Sequence, residues 1–398
     1  MNINLSIEQR NSVLTSMAKL VDLERDAILN ANKTDIEKFA ENDRAMYDRL
    51  IVNNEKIDGM IASLKQLAAQ EDPVGKELFH FAHENGLDIY NKTASFGTVM
   101  IIYESRPDVT IEAGGIAFKS GNKILLKGGK EAINSNLVLV GLWHRALDEN
   151  NISKNWVEYL SYNRSETQAF LINPGKKIDL IIPRGGEKLI SFVKENATCP
   201  VIVSGRGNNF VYVHQNADLT KAIDIIINAK TAKISACNAL DKVLIDCHLE
   251  NFDIFLNNLI NKLKEFNVEI IGDDILSEID GVSKLEDENI WTEEFLDYKI
   301  VIGTVDSEDK AIEKINRYSG GHSSVIITEN KKAANKFMQA VDSAAVYVNA
   351  STRFTDGFEF GLGGELAIST DKLHQRGPIG LQHIVTNKWY VIGDGQIR

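Results

Sequence analysis

Apolar positions recur at helical spacing through the opening segment, then give way to short β-branched runs that alternate with helical patterns. Ser6 and Gln9 have capping-box spacing, and Ile7, Val13, Leu14, Met17, Leu20, Val21 and Leu23 continue at helical period. This predicts a long opening helix. A second helix is predicted over about 44–69, stopped by Asp72 and Pro73. From Leu87 the run LDIYNKTASFGTVMIIY turns β-branched and aromatic, broken by Gly97, which predicts a hairpin leading into a buried strand.

Strand-like runs follow at 123–127, 157–160, 178–182, 201–204, 211–214, 243–246, 268–271, 300–304, 325–328 and 345–349. Helical patterns fill most gaps between them, at 131–147, 187–195, 219–230, 252–266, 310–318 and 331–341. Short apolar strands separated by helices call for parallel sheets covered on both faces, so the fold class is α/β with two sheets. No internal repeat or Pro/Ser-rich linker appears, and topology places a domain boundary near Asn209. The closing NKWYVIGDGQIR reads as a last strand that must pair with something, an edge on a second subunit being one candidate.

Composition narrows the function classes. At 398 residues the chain has room for two or more domains, and 25% charged with 43% hydrophobic residues is ordinary for a globular protein. A net charge of −12 without a basic stripe argues against nucleic acid and for a small metabolite. Three cysteines without paired spacing give no disulfide framework, and no apolar run reaches membrane-spanning length, so a cytoplasmic protein is expected.

Cys237, in KISACNALDKVLI, carries the sharpest chemistry. It falls between an amphipathic helix and an apolar strand, among the small residues Ser235, Ala236 and Ala239, where a backbone N–H can face a substrate. The same pattern also suits a small buried hydrophobe. Cys199 and Cys247 enter and end apolar strands and read as structural. Gly185 and Gly186 stand at a strand-to-helix junction, where N–H groups at the helix start can take a dinucleotide phosphate, or where the chain simply turns. Lys127 ends a strand before Gly128 and Gly129 and is placed to meet a ribose or its 2′-phosphate, or to be a solvated strand-end lysine.

Ser105 and Arg106 lie on a strand-to-helix turn in YESRPDVTIEAGG, where Arg106 offers a planar fork to an anion or pairs with Glu104. Arg353 is the one cation in the long glycine-rich loop NASTRFTDGFEFGLGGE. His322 offers a base for the thiol, or packs. His80 and His83 lack further ligands, so no metal is expected, and the absence of HExxH, CxxC, P-loop, GxSxG and a complete GxGxxG removes the corresponding classes.

Taken together, IIYESRPDVT, ILLKGGKEAINSN, LIIPRGGEKLI, CNAL, NASTRFTDGFEFGLGGELAIST and GPIGLQHIVTNKWYVIGDGQIR closely resemble the gamma-glutamyl phosphate reductase (glutamate-5-semialdehyde dehydrogenase) family, in order and over nearly the whole chain. The resemblance implies an aldehyde dehydrogenase-like fold. It places a nucleotide-binding domain on 1–208, a catalytic domain on 209–366, and an oligomerisation element on 87–100 with 380–398, hence a homodimer or homotetramer. It implies that Cys237 attacks L-glutamyl 5-phosphate, that NADPH reduces the thioester, and that the semialdehyde product feeds proline biosynthesis. The oxyanion would rest on the Cys237 N–H and the Ser105 turn, and the substrate carboxylate on Arg106 or Arg353.

By alignment with the superfamily, Glu294 in WTEEFLDY binds the nicotinamide ribose, with Lys127, Gly185 and Gly186 as further cofactor contacts. Where hydrolytic relatives carry a glutamate base in ELGGK, this chain has VSGRGNN, which supports a phosphate-releasing reductase. It departs from the family's pattern at Lys233–Ile234, where RP is usual, and at Asn209–Phe210, where a Cys-His pair is usual. The rival readings are a hydrolytic NAD-dependent aldehyde dehydrogenase, a cysteine hydrolase using Cys237 with His322, and a scaffold protein on the same fold.

Overall fold

The computed structural model describes residues 5–39, 44–372 and 374–398, without the side chains at 44 and 45. The chain forms two compact units. The first runs to Ser204 and takes back Gly361–Ala367 and Ile379–Arg398; the second is Gly205–Phe360 with Ile368–Pro378.

In the first unit a four-stranded parallel sheet orders Val157–Tyr159, Lys123–Lys127, Thr98–Tyr103 and Leu180–Arg184. Successive residues of a strand point to opposite faces. Val99, Ile101, Tyr103, Ile124 and Leu126 therefore share one core with Ile7–Leu23, Asn54–Ala69, Val109–Lys119 and Ile133–Glu149. Met100, Ile102 and Leu125 share the other with Arg164–Ile172 and Glu187–Asn196.

The second unit repeats the design on a seven-stranded sheet. Its order is Ser283–Lys284, Glu269–Gly272, Lys299–Val305, Leu240–Asp246, Asn209–Val213, Ser323–Ile327 and Ala345–Val348, all parallel. Val211, Val213, Val243, Ile245, Ile300 and Ile302 face the helices Leu219–Thr231 and Phe252–Glu265. Phe210, Tyr212, Leu244 and Val301 face Glu308–Tyr318 and Lys331–Ala340. Leu240–Asp246 is buried at every position, as expected of a central parallel strand.

Several elements differ from the sequence expectations. The helix expected over 44–69 is two, Arg44–Leu50 and Asn54–Ala69, because the Asn53 side chain accepts from the Lys56 N–H and starts a new helix. Arg25–Glu37 adds a helix that the pattern did not announce. The run 201–204 carries isolated bridges at Val201, paired with Ile181, and at Ser204 in place of a strand.

The hairpin is shifted as well. Asp88–Ser95 pairs with the preceding Glu77–Ala82, while Thr98–Tyr103 enters the parallel sheet. The closing strand Val385–Ile392 pairs antiparallel with Asp88–Ser95 of its own chain, giving a three-stranded sheet. That sheet exposes Leu78, Phe79, Phe81, Trp389, Tyr390, Val391 and Ile392. Among the described residues no helix is long and apolar enough to cross a membrane.

Candidate active site

Cys237 lies in the link between the helix Leu219–Thr231 and the strand Leu240–Asp246. Two turns shape the link, closed by Ala236 N–H to the Lys233 carbonyl (3.3 Å) and Ala239 N–H to the Ala236 carbonyl (3.0 Å). Asn209, fully buried at the start of the neighbouring strand, holds it from beneath. Its Nδ2 donates to the carbonyls of Gly207 (2.7 Å), Cys237 (2.8 Å) and Ala239 (2.6 Å). Gly207 has to be glycine, because a Cβ there would overlap the Cys237 carbonyl. The thiol is half-buried, and none of the three cysteines forms a disulfide.

The next residue ties this link to the glycine-rich loop. Asn238 Nδ2 donates to the carbonyls of Arg353 (3.2 Å) and Thr355 (2.9 Å), and Thr352 Oγ1 donates back to the Asn238 carbonyl (2.6 Å). Arg353 is thereby brought near Cys237. Burial disfavours its charged form, while the charges of Cys237 and Asp356 favour it. Its Nη1 is buried without a hydrogen-bond partner, which leaves a donor for an anionic group. Of the expected site residues, Cys237 and Arg353 are therefore brought together in this unit.

His322 is not placed to be a base for the thiol. It is fully buried, its Nδ1 meets Ser323 Oγ (2.8 Å), and burial pushes its pKa down to about 4. Ser323 Oγ continues to Thr355 Oγ1 (2.7 Å), so the imidazole belongs to a buried polar chain. Cys199 is half-buried, with its pKa raised by burial. Cys247 is exposed at the far end of Leu240–Asp246, contrary to a structural reading, and stands with Asp246 and His248. His80 stacks on Tyr90 and bonds Asp88, while His83 Nδ1 accepts from the Asn85 N–H.

Glu294 sits in a stretch anchored on both sides. Lys242 Nζ donates to the Glu293 carbonyl (2.7 Å) and lies 3.8 Å from the Phe295 ring centroid, and the Phe295 N–H donates to Asp241 Oδ2 (3.1 Å). Asp241 also takes the buried ammonium of Lys230 (3.0 Å). Burial lowers the pKa of Lys242 to about 7.

In the first unit the turn after Thr98–Tyr103 carries Ser105, buried and in the left-handed region (φ 42). Its N–H (2.6 Å) and its hydroxyl (2.9 Å) both donate to Glu131 Oε1, so here an internal carboxylate takes the donors expected to face an oxyanion. Arg106 pairs with Asp108 (3.1 Å); Glu104, the partner considered from sequence, instead accepts from the Gly186 N–H (3.0 Å). Gly186 caps the helix Glu187–Asn196 in extended backbone, and a Cβ on it would meet only Glu104 Oε2 at 4.0 Å. A Cβ on Gly185 would overlap Glu104 and crowd Leu189. Lys127 is half-buried, its Nζ donating to the Gly128 carbonyl (3.0 Å), and burial lowers its pKa. Ser105, Lys127 and Gly186 thus gather around Glu104 and Glu131.

The sequence model of the "Aldehyde dehydrogenase family" matches residues 3–276 and 282–389. The chain belongs to the aldehyde dehydrogenase family. Within that family it is 42% identical over 397 residues to the gamma-glutamyl phosphate reductase of Halothermothrix orenii, covering 99% of this chain and 94% of that one. The crystal structure of the Thermotoga maritima gamma-glutamyl phosphate reductase, 42% identical, superposes with a TM-score of 0.93 over 99% of this chain and 95% of that one. An acetylating aldehyde dehydrogenase from Geobacillus thermoglucosidasius, 17% identical, shares the fold with a TM-score of 0.71 over 99% and 93% of the two chains.

Sequence reasoning missed the residues that hold the candidate site of this aldehyde dehydrogenase-family chain in shape. Asn209, Asn238 and Glu131 were absent from the candidates, as was Lys242. The readable signal was a polar side chain inside an apolar stretch, Asn209 before FVYV and Lys242 before VLI. Their partners lie too far along the chain for periodicity to reveal.

Proposed function

We propose that this protein reduces L-glutamyl 5-phosphate to L-glutamate 5-semialdehyde and phosphate, with NADPH as reductant, in proline biosynthesis. One observation carries the reading: a half-buried cysteine whose backbone carbonyl is held by Asn209, beside Arg353, in a chain 42% identical over its length to gamma-glutamyl phosphate reductases. Cys237, as thiolate, attacks the acyl carbon; the carbon–sulfur bond forms, the acyl carbon–oxygen bond to phosphate breaks, and phosphate departs. When bound, NADPH would supply a hydride to the acyl carbon, after which the carbon–sulfur bond breaks, the semialdehyde leaves and Cys237 returns to its thiolate. The Cys237 N–H stabilises each oxyanion. Arg353 Nη1 holds an anionic oxygen of the substrate. The absence of a glutamate from VSGRGNN supports the choice of a reductase, because a thioester that is to be reduced needs no base to activate water.

The residues present fit a dinucleotide. Gly186 offers an open helix start whose N–H already donates to a negative oxygen of Glu104, which a phosphate would replace. Lys127, in the same unit, would meet the 2′-phosphate. The three-stranded sheet with its exposed aromatic and aliphatic face would join copies of this chain into a homodimer or homotetramer. The deciding experiment is the reverse assay, with glutamate 5-semialdehyde, phosphate and NADP each omitted in turn. Oxidation that proceeds without phosphate would support the hydrolytic NAD-linked enzyme and end this proposal.

A further inference from the structure

We propose that Asp108 and Glu112 receive the ammonium group of the substrate's amino-acid end, with Arg106 receiving its carboxylate. The assignment rests on the glutamyl substrate proposed above.

Asp108 occupies the N-cap position of Val109–Lys119, where an aspartate normally accepts an N–H of the first turn, yet its side chain makes no capping bond. Oδ2 goes to Arg106 Nη2 at 3.1 Å, and Oδ1 is buried without any hydrogen-bond partner. Asp108 is 8% exposed, so that oxygen has been taken from water without gaining a hydrogen bond, although the charges of Arg106 and Lys56 favour the ionised carboxylate. Glu112 follows four residues later, on the same helix face. Its surroundings are Asp108 and Glu365, which repel its charge, and Arg106 and Arg184, which favour it.

Burial and Asp108 together raise the Glu112 pKa to about 7, the mark of a carboxylate short of positive charge. A ligand ammonium, with three donors, supplies that charge and the missing donor for Asp108 Oδ1. Arg106, 35% exposed, has further guanidinium donors beyond the one on Asp108. Neighbouring acceptor and donor groups of this kind suit a zwitterion, in which ammonium and carboxylate share one carbon.

The test compares glutamate 5-semialdehyde with 5-oxopentanoate, which keeps the aldehyde and carboxylate and lacks the amino group, each with phosphate and NADP. Glu112→Gln should lower kcat/KM for the amino-bearing aldehyde by roughly 10- to 100-fold, mainly through KM, and change that for 5-oxopentanoate by less than about twofold. Asp108→Asn should act in the same direction, Glu112→Asp should restore part of the loss, and NADP binding should persist in all three. Equal losses on both aldehydes, or none on either, would overturn the assignment alone. A wild-type enzyme that oxidises neither aldehyde would overturn the reaction above and this assignment with it.

Discussion

Replacing Asn209 by alanine removes one amide that serves three backbone carbonyls at and around Cys237. Two hydrogens on Nδ2 are shared among Gly207, Cys237 and Ala239, and Asn209 Oδ1 has no partner, so the residue acts entirely through its donors. Each buried carbonyl left unpaired loses about 1–3 kcal/mol, and the shared geometry bounds the total at roughly 2–5 kcal/mol. A domain stable by about 5–15 kcal/mol survives this, but the local link does not keep its shape. A shift of about 1 Å in the reacting group is enough to lower turnover on the order of 100-fold. We expect Asn209→Ala to fold, to exchange amide hydrogens faster across 232–240, and to lose most of its kcat with NADPH binding intact. Asn209→Asp should be worse, because it sets an acceptor against three acceptors. Unchanged exchange in that segment together with full turnover would refute the reasoning.

Gly207→Ala should mimic the loss from the opposite side, by driving the Cys237 carbonyl out of place; a fully active variant would show that the link tolerates the shift. Cys237→Ala should abolish turnover while retaining NADPH binding, read by nucleotide fluorescence, and a normal rate would end covalent catalysis. Lys127→Ala should weaken NADPH more than NADH, and equal weakening of both would remove the 2′-phosphate contact. The Glu112 proton leaves near pH 7, so its charge is present above that pH and absent below. KM for the amino-bearing aldehyde should therefore fall as pH rises from about 6 to about 8, and this step should vanish in Glu112→Gln. Val391→Lys should abolish the proposed self-association through the three-stranded sheet, as measured by sedimentation, without unfolding either unit; unchanged sedimentation would remove that role from the sheet.

Much of the architecture was legible because it is written in neighbouring residues. Alternating apolar runs such as VYV and VLI, separated by helical periods, require parallel sheets covered on both faces, and the strands Leu240–Asp246 and Asn209–Val213 are such strands. Cys237, Arg353 and the Gly185–Gly186 junction were marked by residue type at an element boundary, which also depends on nearby sequence alone. Other features needed the closed fold. Which strand pairs with Asp88–Ser95 was decided by the return of the chain's last segment, which brings Val385–Ile392 back to it. Ser105 met Glu131 and Glu104 met Gly186 across 26 and 82 residues, distances over which no local pattern has a signal. The sequence alone thus determined most of the elements and the place of Cys237 between a helix and a strand, because both depend on residues within a few positions of each other. Only the tertiary structure decided which polar group satisfies which, because a buried donor or acceptor takes whatever partner the packing brings within reach.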